Sequence, residues 1–262
     1  MIDILLPILI SSFILVGIHT YFGIHILKRG IIFADLAIAQ IVAMGVAFAF
    51  LFNLNHFFSS LLFGLLGSVL LSTYRTYDNK TIQEALIGIS YVAATALTIL
   101  FLEKAPHGEE ALRELFSGSL LWITYSKLLK IFFFYLLIGL LHLLLWKKFL
   151  NLSEGKEKNL LLDILFFSTF AFAVTHSVQT AGVLLVFSFL IIPPLISTLL
   201  FKNFIYKLIF GWTIGILSSV LGAVISYILD IPTSPAIVTV LTIFLGFFTI
   251  FNMFKKKKEV YL

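Results

Sequence analysis

Nine stretches of this 262-residue chain approach the length of about 20 mostly apolar residues that a helix needs to cross a bilayer. They cover residues 4–27, 31–52, 57–74, 85–102, 128–146, 160–178, 182–201, 205–229 and 236–254. Lipid offers no partner to a bare peptide group, so such segments must be helices or strands of a closed barrel. Barrel strands alternate apolar and polar residues; these runs do not. The expected fold is therefore all-α, a polytopic membrane protein of nine helices in a single bundle occupying residues 1–262. The count falls to eight if one short segment is re-entrant.

Composition closes off a water-soluble alternative. The chain is 60% hydrophobic and 12% charged, where soluble domains carry about 25% charged residues. The longest polar intervals, 75–84, 103–114 and 147–159, are too short to fold alone. There is no cysteine, so any metal must meet imidazole, carboxylate, amide or backbone oxygen. The first run lacks a basic leader and a small-residue cleavage site and reads as a retained span.

Positive charge orients the runs. With the N-terminus outside and the C-terminus cytoplasmic, Lys28, Arg29, Arg75, Lys80, Lys147, Lys148, Lys156, Lys158, Lys202, Lys207 and Lys255 to Lys258 face the cytoplasm. Lys104, Arg113, Lys127 and Lys130 fall outside. The net charge of +5 is mostly this signal. The terminal KKKK reads as an anchor drawn to anionic lipid headgroups, and nucleic-acid binding is not indicated. Ala34, Ala37, Ala39, Ala43, Gly45 and Ala47 place the second run at the crowded centre of the bundle, where small residues let helices approach closely.

No G-x-x-x-x-G-K-[ST] loop occurs, so ATP-driven work needs a separate subunit. H-E-x-x-H and G-x-S-x-G are also missing, and no enzyme is expected. Ionisable residues within spans are costly and are candidates for function. Counted outward from the turn at Lys28, Arg29 and Gly30, His25 and Asp35 lie at one depth, and His19 and Gln40 at a second nearer mid-membrane. His19 and His25 point about 120° apart at about 100° per residue. Asp35 and His25 read either as a pair holding the hairpin or as part of a metal path. His19 and Gln40 read as an interhelical hydrogen bond or as ligands. His176, near the outer end of the sixth run, is placed to receive a cation or to bond a backbone carbonyl, and His142 reads as interfacial. The loop from Leu102 holds Glu103, His107, Glu109, Glu110 and Glu114, which read either as an acidic external mouth that concentrates cations or docks a solute-binding protein, or as a plain solvated loop. Its continuation LFSGSLLW is apolar enough to dip back into the membrane.

Several ordered blocks are similar to the permease subunit of bacterial ABC importers for zinc, manganese and iron. They are GVLLVFSFLIIP at 182–193, within a run broken by Pro193 and Pro194, DIPTSPAIV at 230–238, ALIGISYVAATAL and LFSGSLLWIT. ADLAIAQIVAMGVAFAF resembles the block in which that family carries an aspartate and, four residues on, a histidine of the metal path. Asp35 matches the aspartate; the histidine is absent, and Gln40 stands one residue beyond its place, with His19 and His25 nearby.

The resemblance implies a type II-importer-like bundle in the bacterial plasma membrane and a homodimer. It implies a cytoplasmic ATPase subunit, an extracytoplasmic metal-binding protein, and a divalent ion as cargo with no resident cofactor. Family members place a cytoplasmic segment against the ATPase at the fifth connection, shorter here as KKFLNLSEGKEKN. An ion-coupled secondary transporter and a membrane-embedded metalloenzyme are the alternatives.

Overall fold

The computed structural model describes residues 2–31, 33–118, 120 and 123–260, with side chains from 5 to 254 of these. They form ten α-helices: α1 (Ile2–Arg29), α2 (Phe33–Phe52), α3 (His56–Tyr74), α4 (Lys80–Lys104), α5 (Gly108–Ser117), α6 (Tyr125–Leu144), α7 (Trp146–Ser153), α8 (Leu160–Leu200), α9 (Phe204–Leu229) and α10 (Thr233–Val260). Helix starts are written into the polar connections. Asn55, Asn79, Thr124, Asn159 and Asn203 each accept a backbone N–H from the first turn of the helix that follows. Each such cap contributes about 1 kcal/mol.

Among the described residues, eight helices are long and apolar enough to cross a membrane. One of them, α8, spans 41 residues, about 60 Å if straight and roughly twice a hydrocarbon core. It is not straight. Gly182 leaves the helix at φ 78° and ψ 162°, and the two arms fold back. Asp163, in the first turn of α8, bonds Arg29 at 2.8 Å. Phe204, just beyond the last turn, packs its ring 5.1 Å from that of His25, one turn away on α1. Both ends of α8 thus sit at the same Lys/Arg-rich end of the bundle. The arms correspond to the separate runs 160–178 and 182–201, so the bundle is crossed nine times.

The reversal is clamped from outside α8. A Cβ on Gly182 would lie 2.5 Å from the Phe116 carbonyl oxygen, and one on Gly118, itself at φ 69°, would lie 2.2 Å from the Ala181 carbonyl carbon. Two glycine backbones therefore meet where no side chain fits. Ser234 of α10 adds a hydrogen bond to the Ala181 carbonyl at 2.9 Å.

The chain reverses at Gly182, at the edge of the connection expected between the sixth and seventh runs, whereas the break expected at Pro193 and Pro194 is absent and α8 stays helical through them. Pro194 has no N–H for the Leu190 carbonyl four residues back. That oxygen lies against Gly23 of α1, so close that a Cβ there would meet it at 1.9 Å. A neighbouring backbone thus occupies the place of the missing donor.

As expected, α2 is central: its most apolar window is 67% buried, the largest share of any span. It packs mainly on α4, α3 and α8. Gly45 admits the α3 backbone, with Ser60 Cα 2.7 Å from where a Cβ would stand.

Candidate functional site

The turn at Gly30 does not make α1 and α2 a packed hairpin. Helix α1 lies chiefly against α8 and α9, and the two helices barely touch. The depth pairing of His25 with Asp35 and His19 with Gln40 assumed that sequence neighbours pack side by side. Neither pair forms.

Asp35 sits in the first turn of α2, where the helix dipole favours an acidic group. It is fully buried. Oδ1 accepts the Leu36 N–H at 2.7 Å, while Oδ2 has no partner. Gln40, also buried, leaves Nε2 unpartnered; five residues along a helix, it points about 140° away from Asp35. The residue on Asp35's own face is Ala39.

His19 is fully buried. Its Nδ1 bonds the Leu15 carbonyl at 2.8 Å, which fixes that nitrogen as the donor and leaves Nε2, unpartnered, with the lone pair. That is the tautomer in which imidazole binds a metal. His25 bonds Ser153 Oγ through Nδ1 at 2.8 Å, and its Nε2 has no partner. The Nε2 of His176 is likewise free among Phe57, Phe134 and Phe172. His142, in the last turn of α6, faces the bundle interior. It is buried, and its nitrogens bond Tyr21 at 3.0 Å and Thr169 at 2.8 Å, tying α6 to α1 and α8.

At the basic end lies a cluster that the sequence reading missed. Asp163 accepts from Arg29 Nη1 at 2.8 Å and Arg75 Nη1 at 2.6 Å. Arg29 stacks 3.7 Å from the Phe166 ring centre and donates through Nε to Ser153 at 3.1 Å. An acidic residue four after the cap Asn159 was the available signal; its partners, 134 and 88 residues away, left none.

At the opposite end, α5 and the residue before it carry His107, Glu109 and Glu110. His107 Nδ1 lies 3.8 Å from Glu110 Oε2, both side chains more than 80% exposed, and Glu109 is exposed beside them. Glu110, Glu114 and Arg113 border a cleft of about 510 Å³ shared with Asp230 of the α9–α10 turn. In the LFSGSLLW segment Ser119, Leu121 and Trp122, and at the tail the side chains of Lys255 to Lys258, lie outside the described residues.

No three His, Cys, Asp or Glu residues among those described converge closely enough to hold a metal ion. The buried ligands are dispersed: a carboxylate oxygen on α2, imidazole nitrogens on α1, and a third imidazole on α8. Such an arrangement offers a cation single ligands at successive places.

A profile of the ABC 3 transport family matches residues 1–252. The chain belongs to that family. It is therefore a membrane permease subunit of the ABC importer type and not itself an enzyme, as the sequence blocks implied.

Similar proteins include a manganese transport system membrane protein MntB of Synechocystis, 29% identical over 79% of this chain and 69% of that one. MntC of Listeria innocua is 27% identical over 91% and 89%. A probable iron transport system membrane protein of Haemophilus influenzae is 25% identical over 92% and 87%. Among solved structures, PsaBC from Streptococcus pneumoniae in complex with Fab aligns at TM-score 0.77 and 22% identity, over 92% of this chain and 89% of that chain. An inward-facing metal-chelate type ABC transporter aligns at TM-score 0.72 and 19% identity, over 95% and 88%. At these identities the structures speak for the fold alone.

Proposed function

We propose that this chain is one half of a homodimeric permease that carries a divalent first-row metal ion, manganese or iron before zinc, into a bacterial cell. A separate cytoplasmic ATPase drives it and an extracytoplasmic metal-binding protein feeds it. Residues 1–262 form one transmembrane domain of the plasma membrane, with the N-terminus outside and the basic end, including the C-terminus, in the cytoplasm.

The observation that carries this reading is Asp35. An unpartnered carboxylate oxygen at a fully buried position is costly unless something cationic visits it. Asp35, buried within its own bundle, serves the ion from inside each copy. His19 and His25 bind the ion weakly along α1, His176 receives it at the outer end, and His107, Glu109 and Glu110 gather it. With Ala39 on the Asp35 face and Gln40 turned about 140° from it, Asp35 offers the ion carboxylate oxygen with no imidazole on the same face. Oxygen suits manganese, whereas zinc prefers imidazole and thiolate. The manganese and iron relatives support the same choice.

The test is uptake into proteoliposomes holding the chain and its cognate ATPase, with manganese, iron(II) and zinc offered separately. ATP-dependent uptake of manganese or iron ahead of zinc is expected. Uptake driven by an ion gradient without ATP would move the chain to the secondary transporters, and zinc preference would reverse the cargo.

A further inference from the structure

One short helix stands between the basic end of the bundle and whatever lies beyond it. Helix α7 turns Phe149 and Leu152 inward, both fully buried, and leaves Lys147, Lys148 and Asn151 exposed. Phe149 packs on His142 of α6 and Phe166 of α8, while the polar attachment of α7 is concentrated on one turn of α1. Ser153, its last residue and 2% exposed, bonds both His25 at 2.8 Å and Arg29 at 3.1 Å. Glu154, at its cap, bonds Lys28 at 2.7 Å. Arg29 in turn holds Asp163 at the start of α8.

From that turn the contacts continue without a gap. Two residues before His25, Gly23 lies in backbone contact with Leu190 and against the Pro194 ring. That arm of α8 already lacks hydrogen bonds to the two prolines. A displacement of α7 therefore reaches the prolines of α8 through one hydroxyl and one glycine.

We propose that Ser153 is the positioning residue through which α7, the connection that the family resemblance sets against a cytoplasmic ATPase and that presents Lys147 and Lys148 to it, moves α1 and the Pro193–Pro194 arm of α8. This rests on the ATP-driven reading above. Its specific content is the route, and a route needs coupling data. Ser153 touches neither ATP nor cargo, so its loss separates hydrolysis from transport.

The experiment measures ions imported per ATP hydrolysed by the reconstituted complex. Ser153→Ala is expected to keep ATP hydrolysis near wild type and lower the ratio by about fivefold or more, and Ser153→Thr, which keeps the hydroxyl, to restore it. Lys147→Glu with Lys148→Glu is expected to release the ATPase subunit during purification. An unchanged ratio in Ser153→Ala overturns the route. So does a parallel loss of melting temperature that threonine does not repair, which makes Ser153 structural. Retention of the ATPase by the charge-reversed chain, with weaker binding to anionic vesicles, assigns the lysines to lipid and overturns the docking face. A wild-type complex that hydrolyses ATP without importing metal is distinguishable from all of these, because it overturns the ATP-driven reading itself.

Discussion

The two ends of α1 handle buried polar groups in opposite ways. At the basic end, Arg29 spends its guanidinium on Asp163, Ser153 and the Phe166 ring, and Asp163 takes Arg75 as well. Toward mid-membrane, His19 keeps one ring nitrogen free, and on α2 Asp35 and Gln40 each keep a polar atom unpartnered. Charge compensation of this kind fixes a structure, even though Arg29 Nη2 and His25 Nε2 within it lack a partner. Unpaired groups held at the same depth of burial cost stability, and in the proposed function they serve the ion that passes by.

Breaking the closed network should have the largest effect. Asp163→Ala leaves Arg29 buried and short of its counter-charge, which costs about 3–5 kcal/mol. A steep fall in the melting temperature of the detergent-solubilised chain is expected. A melting curve like wild type would show that the two ends do not differ as described.

Asp35→Ala should do the reverse, abolishing metal uptake in proteoliposomes while leaving the melting temperature unchanged or higher, since a buried unpaired group is removed. Normal uptake at normal protein levels would take Asp35 out of the path. His19→Ala should lower uptake by a smaller factor, about 1 kcal/mol in transport free energy, or roughly fivefold. A stability loss without an uptake loss would place His19 with the structural residues.

The smallest effect belongs to the rim of the closed network. Lys156 and Lys28 hold the Glu154 carboxyl down at about 2 by hydrogen bonding. A depressed folded value stabilises the protein above the ordinary carboxylate range and is lost as pH falls through the folded value. With both partners substantially exposed, solvent screening limits the pair to under about 1 kcal/mol. Glu154→Gln should lower melting slightly between about pH 5 and 8, by the equivalent of less than about 1 kcal/mol, and flatten the shallow loss below about pH 4. A large effect at neutral pH would show that the rim is part of the clamp.

Much of this architecture was legible because membrane helices announce themselves by length and hydropathy. All nine apolar runs became passes of the bundle, and the small residues of α2 placed it at the centre. Partnerships were not legible. Asp163 meets Arg29 and Arg75 across most of the chain, and His25 meets Ser153 at a distance of 128 residues, so no local spacing could announce either. The expected His25–Asp35 pair failed for the same reason in reverse. Adjacency in sequence was taken for adjacency in space, and α1 and α2 diverge after Gly30. Pro193 and Pro194 misled because proline removes a donor without dictating a break when a neighbouring glycine can approach the orphaned carbonyl.

The doubling back of α8 also bears on how the chain enters a membrane. Between 160 and 200 the sole charged residue is Asp163, and no lysine or arginine marks where one crossing ends and the next begins. A translocation machinery meets 41 residues that its charge-reading rules would thread as one segment. The reversal at Gly182 sets the parity of everything that follows. With it, Lys202 and Lys207 return to the side of Lys28; without it, α9, α10 and the basic tail would be inverted. The folded topology is that of a hairpin, with the basic residues after α8 at the same end as Lys28. The seat formed by Gly118 then makes that orientation permanent.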